Sequence, residues 1–272
     1  MKGRLVISGL IAALALAGTA SGAGKDVASD VSANWAGYVV TGASTSYTSV
    51  TGTWTQPSIT CDASDAGASS AFWIGLGGYY TSSQSLEQIG TSADCSSTTG
   101  KPRYYAWYEL VPQGSVTISS FPVSPGDTIT TSVNVVGGGS SVLVQVKNRT
   151  KHKTFTKTLP FVDVDSSSAE WVAEAPSSCN QYRCRQLSLS NFGSIRFTKV
   201  AALGNAIGGT LTSNPGWTST AISLVPTQTH GFFPGPDRFS TAASSPAGAT
   251  PSAPTADGRG FSVSWAPTPA TS

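Results

Sequence analysis

Val142-Leu143-Val144-Gln145-Val146-Lys147-Asn148 is the stretch on which the fold class turns. Val142, Val144 and Val146 recur with a period of two, and Leu143, Gln145 and Lys147 fall between them. In an extended chain successive side chains point to opposite faces, so one face of this segment is buried and the other meets water or a second layer. Upstream, Gly137-Gly138-Gly139 and Pro125-Gly126-Asp127 bracket a second β-prone run, Thr128 to Val136, with the residues that tight turns require. The two runs form an antiparallel hairpin about the glycines.

The same grammar extends outward. Short β-prone runs occur at 35–40, 49–55, 71–76, 103–110, 154–159, 169–174, 194–201 and 221–225, separated by Gly, Pro, Ser and Asn, with little helical spacing. This predicts an all-β sandwich or barrel. Residues 24–239 form the domain, 240–260 read as an Ala/Ser/Pro-rich linker, and 261–272 hold a possible last strand and a tail.

Residues 1–23 carry Lys2 and Arg4, an apolar run from Leu5 to Leu16 and then small residues, the pattern of a secretory signal peptide. The apolar run is too short to span a bilayer, so the expectation is a secreted, extracellular protein without a membrane partner. Charged residues make up 11% of the chain and the net charge is +2. No basic cluster of the kind that binds nucleic acid is evident, and a monomer is expected.

Four cysteines, Cys61, Cys95, Cys179 and Cys184, allow three disulfide connectivities in an oxidising compartment. Pairing Cys61 with Cys95 and Cys179 with Cys184 is favoured, because each bridge then staples a local loop. No Cys-x-x-Cys is present and the histidines are His152 and His230, so no metal or cofactor is expected. The same scarcity of histidine argues against a Ser-His-Asp triad.

Among four glutamates, Glu109, Glu170 and Glu174 have aromatic or apolar neighbours. In a strand Glu170, Val172 and Glu174 project together, with Trp171 on the opposite side. Two carboxylates on one concave face suit a cation, a sugar or a catalytic water. A strand glutamate is more often simply on the solvent face, and the seven tryptophans are more often core.

Five segments occur in order: Asn34-Trp35-Ala36-Gly37-Tyr38, Phe72-Trp73-Ile74-Gly75-Leu76, Leu86-Glu87-Gln88-Ile89-Gly90, Ala106-Trp107-Tyr108-Glu109 and Ala169-Glu170-Trp171-Val172. Together they resemble the glutamic peptidase family, the eqolisins, in a shorter, bacterial-type form. The resemblance implies a sandwich of two curved antiparallel sheets, a concanavalin-like jelly roll, with a concave active-site face. It implies a catalytic Gln/Glu pair, carried over as Gln88 and Glu170, with Trp35 and Trp73 lining the cleft and Glu109 close by. The glutamate would act as general base on a water and the glutamine amide would stabilise the oxyanion.

The expected activity is therefore that of a secreted, acid-acting endopeptidase on polypeptide substrates. The alternatives are a carbohydrate-binding sandwich and an inactive homologue. Three departures stand out: Glu87 directly before the glutamine, where relatives carry an apolar residue; Asp94, spaced differently from a family aspartate; and no room before Asn34 for a long propeptide.

Overall fold

Val142, Val144 and Val146 are completely buried, and the residues between them are half-buried. The computed structural model describes residues 27–161, 163–179, 184–225 and 247–267. Residues 1–23, assigned above to a signal peptide, lie outside the described residues.

The chain runs through β1 (Ala28–Ser32), β2 (Trp35–Thr41), β3 (Tyr47–Thr55), β4 (Ser69–Leu76), β5 (Leu86–Cys95) and β6 (Pro102–Val111). Next come β7 (Val116–Thr117), β8 (Thr128–Val136), β9 (Ser141–Asn148), β10 (Lys153–Pro160), β11 (Ser168–Glu174) and β12 (Ser177–Cys179). The last are β13 (Cys184–Gln186), β14 (Ser194–Gly204), β15 (Ile207–Gly209), β16 (Thr218–Leu224), β17 (Ala247–Pro251) and β18 (Gly260–Pro267).

One hydrogen-bonded path runs β10-β9-β8-β3-β14-β18-β17-β16-β2-β11-β4-β5-β6-β7 and does not close. Among these strands every pairing is antiparallel except that of β1 with β16. The path doubles back, so that β3, β8 and β9 pack face to face on β4, β5 and β11 without sharing a ladder. The result is a β-sandwich. A register shift between Thr198 and Ala201, where β14 meets β3, bends the first layer.

The interior between the layers is large and aromatic, with Trp54, Ile74, Ile89, Val133, Trp171 and Phe197 all buried. Two indoles also tie the layers together. Trp54 Nε1–H donates to Thr91 Oγ1 at 3.1 Å, and Trp171 Nε1–H donates to the Thr51 carbonyl at 2.8 Å. Each pairs a polar atom that burial would otherwise leave unsatisfied. Gly52 permits the contact: a Cβ there would stand 3.0 Å from Trp171 Cδ1.

The strands expected from sequence are present, each extended by at most three residues, except that β16 stops at Leu224, one residue short of the expected end. One reading changes. The stretch 240–260 is not wholly linker, because residues 247–251 form β17, paired with both β16 and β18. Its Ala247 and Ala249 are buried but too small to signal a core strand. The possible last strand from residue 261 is present as β18, which lies inside the path, between β14 and β17. Strand β5 was not among the runs, since Gln88, Gly90 and Ser92 dilute its apolar pattern.

Candidate active site

Strands β2, β11, β4, β5 and β6 are consecutive neighbours in the second layer. Alternation sends Trp171, Ile74 and Ile89 into the inter-layer core and Trp35, Val172, Trp73 and Trp107 to the outer face. On that face lies a groove of about 760 Å³, whose walls include Trp35, Gln88, Asp94, Trp107, Glu109 and Glu174.

Glu174 closes β11 opposite Trp35 on β2 and Ala71 on β4. It is 6% exposed, and both of its oxygens meet donors: Trp73 Nε1–H at 2.7 Å and Asn34 Nδ2–H at 3.2 Å. Trp73 is in turn braced by Trp35, edge to face, with ring centroids 5.0 Å apart. The carboxylate is thus held from behind by two neutral donors, and it borders the groove.

Gln88 stands directly across from Glu109 in the β5–β6 ladder, and its Nε2–H donates to Glu109 Oε2 at 2.8 Å. That contact orients the amide and leaves Gln88 Oε1 without a partner. Gly90, two residues on, explains why the motif ends in glycine: a Cβ there would lie 2.3 Å from the Phe72 carbonyl oxygen and 2.6 Å from Trp73 Cβ.

Glu170 is placed differently from what the sequence suggested. It shares a cross-strand row with Gln88, through Gly75 between them, and faces the same side. Yet the space above Gly75 is filled by Leu86 and Trp73, each 3.0 Å from where a Cβ would sit. Glu170 is completely buried and is not part of the groove wall. No hydrogen bond of good geometry reaches its oxygens, and burial holds its carboxyl well above the usual range, the Ser168 hydroxyl opposing only in part. A carboxyl kept neutral and sealed from the groove is a poor general base. On β5, burial likewise pushes Glu87 up to about 8, with Ser85 opposing and the Asp165 carboxylate adding.

The other expected positions divide. Trp35 and Glu109 line the groove, whereas Trp73, expected to line it too, lies fully buried beneath it as the support of Glu174. Asp94 lies on the groove wall, accepting from Ser69 Oγ at 2.5 Å; burial pushes its carboxyl up, partly offset by the hydroxyls of Ser69 and Tyr105. The Cys61–Cys95 bridge is formed, with Cα atoms 5.6 Å apart. The Cys179–Cys184 bridge concerns side chains outside the described residues; their backbones face each other across the β12–β13 ribbon. Sequence reasoning missed Asn34 and Trp107 as site residues and weighed Glu174 without selecting it. The period-two spacing offered the pair 170 and 174, with nothing to choose between them.

A model of the Peptidase A4 family matches residues 33–223. The chain is 30% identical over 201 residues to Aspergillopepsin-2 of Aspergillus niger, an overlap of 66% of this chain and 68% of that protein. Among solved structures it is similar to scytalido-glutamic peptidase bound to a transition state analog inhibitor, with a TM-score of 0.65, 19% identity and coverage of 86% of this chain and 98% of that one. Aspergilloglutamic peptidase from Aspergillus niger gives 0.54 at 21% identity, covering 73% and 99% respectively. The chain therefore belongs to the Peptidase A4 family, the eqolisins, and is a glutamic endopeptidase.

Proposed function

We propose that this chain is an acid-acting, extracellular endopeptidase in which Glu174, not Glu170, is the general base and Gln88 stabilises the oxyanion. The observation that carries this reading is the accessibility of the carboxylates. Glu174 lines the same groove as Gln88, whereas Leu86 and Trp73 wall Glu170 off from it.

Ionised Glu174 takes a proton from a water as that water attacks the peptide carbonyl carbon. The carbonyl oxygen becomes an oxyanion, and a Gln88 Nε2–H stabilises it while the second Nε2–H stays on Glu109. Protonated Glu174 then gives its proton to the departing amine, the C–N bond breaks, and the carboxylate is regenerated. A neutral amide suits this role because a charged carboxylate there would repel the oxyanion. Acid action is supported by Glu87 and Glu170, whose buried neutral forms low pH preserves. The Cys61–Cys95 bridge supports an oxidising, extracellular setting, and a groove built by one chain supports a monomer acting on polypeptides.

The test is digestion of acid-denatured casein from pH 2 to pH 8 by the mature protein, with Glu174→Gln and Glu170→Gln in parallel. Acid-restricted cleavage lost only with Glu174→Gln supports the reading. Full cleavage by Glu174→Gln, or none by the wild type, overturns it.

A further inference from the structure

Ser32 ends β1 two residues before Asn34, and its hydroxyl is fully engaged. Its Oγ accepts the backbone N–H of Asn34 at 3.2 Å and that of Trp35 at 3.0 Å. With its acceptor capacity used, the hydroxyl's single proton is left to donate, and Asn34 Oδ1 receives it at 3.0 Å. That settles which way the Asn34 amide points. Its oxygen faces Ser32, so its nitrogen faces Glu174 Oε1. The relay is enclosed: Ser32 and Asn34 are 2% and 1% exposed, and the Ala175 N–H donates to the Asn34 carbonyl at 2.9 Å, tying the turn to the end of β11.

We propose that Ser32 and Asn34 are positioning residues for the base, Ser32 acting as the orientation lock that keeps an N–H, never a carbonyl oxygen, against Glu174. This rests on the assignment of Glu174 as base. Trp73 and Asn34 differ as donors to Glu174 in a way that makes the lock necessary. An indole N–H is a donor only, so Trp73 presents the same group in any orientation it can adopt. An asparagine amide turned over would present Oδ1, which favours the protonated acid and disfavours the carboxylate that must accept the water's proton. One hydroxyl, itself pinned by two backbone N–H groups, removes that second orientation.

The experiment compares kcat and KM against pH for Ser32→Ala, Ser32→Thr and Asn34→Ala with the wild type, on one peptide substrate, with Glu174→Gln alongside. Loss of a hydrogen bond to a charged group lowers kcat by about tenfold. KM stays within about twofold, since the relay does not line the groove, and the acid limb of kcat moves to higher pH because the carboxylate has lost a donor. Ser32→Thr keeps the hydroxyl and restores the wild-type profile. Ser32→Ala also frees two backbone N–H groups; should it fail to fold, by near-ultraviolet circular dichroism, Asn34→Ala decides alone. An acid limb unmoved in a folded variant, or a change confined to KM, overturns the proposal. If Glu174→Gln is inactive while the Ser32→Ala profile overlays the wild type, only the relay fails. If Glu174→Gln still cleaves, the base assignment itself has failed.

Discussion

Gln88 and Glu170 face the same side of one sheet from either flank of Gly75, yet only Gln88 reaches the groove. The missing side chain at Gly75 does not open a passage between them. It makes room for Leu86 and Trp73 to pack over the row, so Glu170 is left in the core while Glu174, four residues on, borders the groove. Burial therefore separates two glutamates that alternation makes equivalent.

Glu170→Gln should keep activity within a few-fold of wild type, and Glu174→Gln should lose about 10³-fold, the scale of a missing acid–base group. A neutral amide replaces a carboxyl that is already neutral in the fold, so the sealed site changes little. Single-turnover cleavage of a fluorogenic peptide measures both.

Stability should fall as pH rises above the ordinary carboxylate range, and Glu87→Gln should flatten the fall. Glu87 has its ordinary value of 4.5 in the unfolded chain and about 8 in the fold. Below 4.5 both states are protonated and this group exerts no pull. Between those values the unfolded chain ionises while the fold retains its proton, so stability declines by at most about 1.4 kcal/mol per pH unit for this group, levelling above the folded value. Glu170, raised by the same cause, acts in the same direction. Urea midpoints at pH 4, 6 and 8 measure the slope; equal slopes in wild type and Glu87→Gln would remove Glu87 as its source.

Reducing the Cys61–Cys95 bridge should destabilise the sheet that bears Gln88. The bridge joins positions 34 apart and anchors the end of β5. In the chain-entropy account its loss costs about 4 kcal/mol. Paired urea titrations of the wild type and the Cys61→Ala/Cys95→Ala variant at pH 4 measure this directly.

Gly90→Ala should cost about 1–3 kcal/mol, since its Cβ would meet the backbone of β4 rather than a side chain able to turn away. Because Gly90 sits two residues from Gln88 and against Trp73, activity should fall with stability. A thermal melt alongside a casein assay separates the two effects.

The sequence alone determined the all-β class, the hairpin around Gly137 and the common face of Glu170, Val172 and Glu174, with Trp171 on the other. These follow from period-two alternation and turn chemistry, which are local properties of the chain. Gln88, Glu109 and Trp35 were likewise legible through the ordered motifs that carry them. Strand β17 was not: Ala247, Gly248 and Ala249 have no pattern of their own, and their extended state comes from pairing with β16 and β18. Nor was the choice of glutamate, because it depends on Leu86 from β5 and Trp73 from β4 meeting over Gly75, and on Asn34 arriving from β1's end to hold Glu174. Exposure is decided by what other strands bring to a residue, and only the tertiary structure specifies that.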